Sequence, residues 1–194
     1  LANQKLEGLY AIVRTVGAER HLQPILNTVT SQLAGVLSIP SVAIKLLAED
    51  GKTLRYVAAT GLTDEIMKEI VHVDRSPLNQ RILSGETQVQ GRIGESKGLQ
   101  LQSELTAVGI RSAALAPLRV ENRVIGTLGI YSDQLDRFQD RDVQFLGLAA
   151  ELVAIAIEDA RANEAIDEHV RERTQFMLEV AHNLRAPLGA SLDL

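Results

Sequence analysis

A chain of 194 residues with 45% apolar side chains can bury one core of about 100 to 150 residues and leave some chain over, so one domain with an appendage is expected. The 20 Lys and Arg against 25 Asp and Glu give a net charge of −5 without a basic cluster, which excludes a phosphate backbone as direct partner; no nucleic acid is expected. The absence of cysteine excludes disulfides, thiolate metal sites, iron–sulfur clusters and a thioether-linked chromophore.

The opening run LANQKLEGLY lacks the charged and apolar pattern of a signal peptide, and no window approaches 18 uninterrupted apolar residues. A cytoplasmic protein without a membrane segment in this chain is expected. Leu6, Leu9, Tyr10 and Val13 predict a helix over 3–16, and the stripe Leu22, Ile25, Leu26, Val29, Leu33, Val36 and Leu37 predicts a second over 22–37. The period then changes. VAIKLL and TLRYVAA flank Asp50-Gly51 as a hairpin. A short helix is expected over 63–70, a strand at VHV, and a helix opened by Pro77 and closed at Ser84-Gly85.

Residues 90–98 are polar and Gly-rich and predict a loop, followed by a short helix over 99–108 ending at Gly109. SAALAPLRV and RVIGTLGIYS around Glu121-Asn122 give the strongest strand signal in the chain. From Phe138-Gln139-Asp140 a helical pattern runs for over 40 residues, with Asp140 as its expected cap. The chain starts at Leu1 and stops at Leu194 inside this pattern, so a longer native protein is expected. Antiparallel hairpins flanked by helices make the class α+β, an α/β sandwich.

The run GIRSAALAPLRVENRVIGTLGIYSDQLDRFQDRDVQFLGLAAELVAIAIEDA resembles the last two strands and closing helix of the GAF domain family, and SPLNQRILSGETQV resembles that family's central helix and strand. The resemblance implies a GAF-like antiparallel sheet flanked by helices over 20–158, preceded by a linker helix over 1–19. It leaves the ligand open, because GAF domains bind cyclic nucleotides, haem, bilins, small metabolites or nothing. By fold analogy, a small-molecule ligand would be walled by Tyr56, Ser112, Ala114 and Leu128 on the sheet and covered near Leu78 and Leu101, with Arg111 and Ser112 able to hold an anion. His72, in VHVD, is the histidine expected to approach the interior, where a haem would need an axial ligand. His21 and His169 read as solvated groups. Glu164, Asp167, Glu168 and Glu172 read as a solvated helix face, and Gly91-Arg92-Ile93-Gly94 is too short for a nucleotide fingerprint.

Within the last helix, steps of three and four residues connect Phe145, Ala149, Leu152, Ala156, Asp159, Asn163, Ile166, Val170, Arg173, Met177, Val180 and Leu184. This coiled-coil period predicts a signalling helix over 159–175 and a parallel homodimer through the N- and C-terminal helices. Asp159, Asn163 and Arg173 interrupt the seam and are where two helical packings are expected to compete.

FMLEVAHNLRAPL, at the start of 176–194, resembles the H-box of the HisKA phosphoacceptor family through Phe176, His182, Leu184, Arg185, Pro187 and Leu188. The resemblance implies a sensor histidine kinase with His182 as phosphoacceptor, ATP and Mg²⁺ in the full-length kinase, and a response regulator receiver domain as partner. No ATP box follows in this chain, which is expected to hold no cofactor of its own and to make no phosphohistidine alone. The residue types agree with the role. Imidazole has an ordinary pKa of about 6.5 and offers a nucleophilic lone pair near neutrality. His182 lies between the seam positions Val180 and Leu184, which predicts a side chain directed away from the bundle axis. Pro187 lacks the N–H that would bond to Asn183, so a kink is expected beside it. Two positions depart from the family. Asn183 stands where an acidic base is usual and cannot take a proton, and Ala186 offers no hydrogen bond where Thr or Asn often assists dephosphorylation. The other reading of the chain is therefore a noncatalytic GAF binding or dimerisation module with a degenerate H-box.

Overall fold

The computed structural model describes Arg14 and residues 21–189, with side chains through Leu178. The helix expected over 3–16, and the side chains of His182, Asn183, Arg185 and Pro187, lie outside the described residues.

Alternation organises the centre of the molecule. Strands β1 (Ser41–Leu47) and β2 (Thr53–Thr60) form the first hairpin, where the Asp50 carboxylate accepts from the Lys52 and Thr53 N–H groups and Gly51 takes the left-handed conformation (φ 67°). After α1 (Leu22–Leu37) and this hairpin come α2 (Asp64–Lys68), β3 (Ile70–His72), α3 (Pro77–Leu83), β4 (Gln88–Gln90), α4 (Gln102–Ala107), β5 (Ser112–Val120), β6 (Arg123–Ser132) and α5 (Asp140–Gly189). The strands form one antiparallel sheet in the order β3-β2-β1-β6-β5-β4. This is the α+β sandwich expected from the sequence.

Each face of the sheet carries its own core. Val42, Ile44 and Leu46 alternate with Ala43, and Ala114, Ala116 and Leu118 alternate with Ala113 and Leu115. The first set packs on α1 and α5 through Leu26, Leu33, Leu146, Val153 and Ile157. The second packs on the segment from α2 to α4 through Ile66, Leu78, Ile82, Ile93 and Leu105.

Several boundaries have local causes. Thr63 caps α2 by accepting from the Ile66 N–H, and Ser76 caps α3 by accepting from the Asn79 N–H at 3.3 Å while donating to the Gly98 carbonyl at 2.7 Å. The loop expected over 90–98 contains the end of β4 and a 3₁₀ turn at Ile93–Glu95. The helix expected from 99 begins at Gln102, because Leu101 is left-handed (φ 65°) and breaks the helical run before it. The cap expected from Asp140 comes from Asp142 instead, whose Oδ2 accepts from the Gln139 N–H at 3.1 Å and pairs with Arg137 at 3.2 Å. Asp140 already lies inside the first turn, and a carboxylate farther along reaches back to the free amide.

Arg137 also donates to the Leu37 carbonyl at the end of α1, and the Leu22 N–H at its start is bonded to Glu164 in α5. Helix α1 therefore runs antiparallel to α5. The seam drawn through Phe145, Ala149 and Ala156 needs correction: these residues are buried in their own domain, and the apolar residues that α5 exposes there are Leu148 and Ile155. The 3.6-residue turn gives α5 two apolar faces, of which the sheet takes one. Beyond Ala160 the described side chains are exposed, including Ile166, Val170, Phe176 and Met177. The described backbone remains helical past Pro187.

Candidate functional site

A charged residue interrupts the apolar run of β1. Lys45 is 3% exposed, and it shares a row across the sheet with Tyr56 on β2 and with Thr127 on β6, which is followed by Pro117 on β5. Register places their side chains on the face covered by α3. The Lys45 ammonium sits 5.3 Å from the centre of the Tyr56 ring, a cation–π contact. It makes no hydrogen bond or ion pair with another described residue. Burial alone pushes its pKa down from 10.5 to about 8, with no acidic group acting to hold the proton.

Two phenols, Tyr56 and Tyr131, belong to the cluster on this face. Tyr131 is fully buried, and its ring lies back over Gly129, where a Cβ would stand 2.7 Å from the hydroxyl. Burial pushes Tyr56 up to about 12 and Tyr131 well above the usual phenol value, with the two hydroxyls acting on each other. Neither ionises near neutrality, so the row carries one net positive charge when Lys45 is protonated.

The space beneath Lys45 is fixed by a close approach of backbones. At Gly126 a Cβ would meet the Lys45 carbonyl oxygen at 2.2 Å and the Leu46 Cα at 3.0 Å. Only a residue without a side chain lets β6 lie this close to β1 at that point.

In α3, Asn79 is 2% exposed and its Oδ1 has no hydrogen-bond partner; Thr127 Oγ1 is likewise buried without one. The segment between β3 and α4 is held over this face by Gln100. Its amide accepts from the His72 N–H at 2.8 Å and donates to the Ile70 carbonyl at 3.2 Å, occupying the free edge of β3 as a strand would. A cleft of about 370 Å³ lined by Pro77, Leu78, Gln90, Ser96, Lys97 and Gly98 opens beside α3 and meets the buried cluster at Leu78.

Of the residues expected to wall a ligand, Tyr56, Leu78 and Leu101 come together on this face. Ala114 and Leu128 do not: both lie in the core against α1 and α5, because each is an odd number of residues from the inward-facing Leu115 and Tyr131. Ser112 shares the parity of Ala114 and donates to the Gln134 carbonyl at 2.7 Å, while Arg111 is exposed. The placement of His72 also needs correction. Val71 and Val73 turn into the cluster on either side of it, so the alternating side chain of His72, half-buried on an edge strand, points to the other side. Lys45, Asn79, Thr127 and Tyr131 went unrecognised in the sequence, although a lysine inside VAIKLL was a signal. Among the described residues no cluster of three metal-ligating side chains occurs, and no helix is long and apolar enough to cross a membrane.

A family model described as GAF domain matches residues 19–158. Similar solved structures include the GAF domain of a phosphoenolpyruvate-protein phosphotransferase from Coxiella burnetii, 20% identical with a TM-score of 0.74 and covering 84% of this chain and 98% of that one. The free methionine-R-sulfoxide reductase of Neisseria meningitidis is 23% identical with a TM-score of 0.71, over 81% of this chain and 90% of that one. A domain assigned to a two-component sensor histidine kinase of Sinorhizobium meliloti 1021 is 26% identical with a TM-score of 0.59, over 71% of this chain and 91% of that one. The Nif-specific regulatory protein of Azospirillum lipoferum is 26% identical over 197 residues, which cover 92% of this chain and 29% of that protein. The chain thus spans under a third of the length of the curated relatives it matches.

Proposed function

Because the chain belongs to the GAF domain family, we propose that it is the sensory and phosphoacceptor part of a two-component sensor histidine kinase, in which a ligand on the α3 face of the sheet biases a dimeric helix bearing His182. The observation that carries the reading is the helix itself. One element, Asp140–Gly189, begins in the core with Phe145 and Leu146 and continues to the segment that resembles an H-box. Strand β5 links the two faces: Ala113 and Leu115 border the ligand side, while Ala114 and Ala116 pack with the core of α5. A shift of β5 on ligand binding therefore changes the seat of the helix. The likeness to a domain of a sensor histidine kinase supports the same reading.

In the full-length kinase, an imidazole nitrogen of His182 attacks the γ-phosphorus of ATP held with Mg²⁺ by another domain, and ADP leaves. The phosphoryl group then passes to a carboxylate of a receiver domain. An asparagine amide such as that of Asn183 takes no proton, so the base is water or a group outside this chain. Full-length protein given radiolabelled ATP should acquire acid-labile label that His182→Gln abolishes; a native protein that takes up no label sinks the proposal. A second reading is favoured by Asn183 and by the Nif-specific regulators: a noncatalytic GAF module regulating a different output.

Dimerisation uses the exposed apolar residues Leu148, Ile155, Ile166, Val170 and Met177 of α5, a series interrupted between Ile155 and Ile166. A charge at a buried seam costs far more than one in water. Ile155→Glu combined with Ile166→Glu should turn the dimer into monomer in sedimentation velocity with the unfolding midpoint of the domain little changed. A dimer that survives both changes places the interface elsewhere.

A further inference from the structure

An open sheet has two edges, and each edge strand presents backbone N–H and C=O groups that another chain can pair. This protein treats its two edges differently. On β3 the Gln100 amide takes the His72 N–H and the Ile70 carbonyl, so that edge is sealed from within. Strand β4, at the other end of the sheet, pairs with β5, and no other described backbone bonds to Gln88, Val89 or Gln90. Neither a charge nor a proline stands among these three residues to blunt the edge. Their side chains divide by parity. Gln88 and Gln90 pair with Leu115 and Ala113 and face the α3 side, where they bond to Arg81 and Ser96. Val89 faces the other side and is 42% exposed.

The sequence along this open edge is complementary to itself. Two copies laid antiparallel about a two-fold axis through Val89 set Val89 against Val89, Gln88 against Gln90, Thr87 against Gly91 and Glu86 against Arg92. Glu86 is exposed and has no ion pair among the described residues. Arg92 has an extended backbone (φ −137°, ψ 87°) and, although it reaches Asp136 and Glu95, keeps its side chain 53% exposed. A slip of one residue would set Val89 against a glutamine and separate both charge pairs. We propose that β4 is a self-association surface separate from α5, at which β4 of a second copy joins antiparallel and the two sheets become one. Charge complementarity selects a second copy as the occupant, because an acidic and a basic end match at both ends of the pair only under that two-fold. The axis relating antiparallel strands crosses them, whereas the axis relating parallel helices runs along them. A chain using both contacts therefore links dimers into a larger assembly. Three residues pair weakly, so the contact acts between chains already brought close together.

The absence of cysteine makes the contact testable, since Val89→Cys carries a single thiol. Residues directly opposite on antiparallel strands have Cβ atoms about 4.5 to 5.5 Å apart, close to disulfide reach. The cross-link is measured in the Ile155→Glu, Ile166→Glu background, which lacks the α5 contact, and it traps a pairing too weak to persist in sedimentation. Under mild oxidation Val89→Cys should cross-link about tenfold faster than Val108→Cys, a thiol at a position of equal exposure (43%) on the segment after α4. Adding Glu86→Lys or Arg92→Glu sets like charges against each other and should slow the Val89→Cys cross-link to the control rate. Mixed in equal amounts, those two variants restore opposite charges at both ends and should recover it. Cross-linking no faster than at Val108→Cys, a rate unchanged by Glu86→Lys, or no recovery in the mixture overturns the proposal. The background removes the α5 contact in advance, so the outcome is independent of that dimer and of the label on His182.

Discussion

Lys45→Met should stabilise the ligand-free protein at neutral pH by about 2 kcal/mol. Holding the lysine pKa at about 8 in place of 10.5 corresponds to about 3 kcal/mol spent on keeping a buried ammonium charged at pH 7. Loss of the contact with the Tyr56 ring takes back about 1 kcal/mol. Methionine is unbranched and of similar length, so it fills the position without a cavity. For a chain of this size the gain is roughly 4 to 8 °C in unfolding midpoint. The pH dependence fixes the cause. Below pH 8 the lysine is protonated in both states, and the fold carries the whole cost. Between pH 8 and 10.5 the unfolded chain holds a proton that the folded one has released, so stability rises with pH. Tyr56 acts in the opposite sense above pH 10, because the folded state keeps its proton up to about 12. Urea titrations of both proteins from pH 7 to 10 should therefore converge as the pH rises. A constant difference between them would mean that Lys45 is not the titrating group.

Gly126→Ala should have the opposite and larger effect, destabilising the fold by about 3 kcal/mol or more. The added methyl would stand 2.2 Å from the Lys45 carbonyl oxygen, and neither partner can give way easily: β1 and β6 are the two central strands, each paired on both sides. Relief requires separating them, which breaks ladder bonds across the middle of the sheet. Gly147→Ala provides the contrast. Its Cβ meets nothing within 4 Å, it lies inside α5, and the same methyl should raise stability by up to about 1 kcal/mol. Chemical denaturation of the three proteins should order them Gly147→Ala, native, Gly126→Ala. Equal effects at the two glycines would deny the close approach.

The periodicities that define this fold were legible because they are local. The change from the 3.6-residue stripe of α1 to the alternation of β1, the Pro77 and Gly109 boundaries, and both hairpins follow from residues a few positions apart. The site was less legible because it depends on parity across strands. Ala114 and Leu128 belong to the sequence neighbourhood of a ligand wall, yet one residue of offset sends each to the opposite core. Lys45 was concealed by the apolar residues on either side of it, since only pairing with Tyr56 and Thr127 reveals which face it joins. The seam of α5 erred for a related reason: two apolar stripes coexist on one helix, and spacing alone does not tell which one the sheet has taken.

The antiparallel course of α1 and α5 has an architectural consequence. Leu22 is bonded to Glu164, so the chain enters the domain beside the point where it leaves. The sheet therefore lies to one side of the antiparallel pair α1 and α5, which pack on one of its faces. At the far end of the pair Arg137 acts as a clamp, tying the Leu37 carbonyl that ends α1 to Asp142 in the first turn of α5. Such a unit can be inserted into a helical relay, or removed from it, with little change in the distance between what lies upstream and what lies downstream.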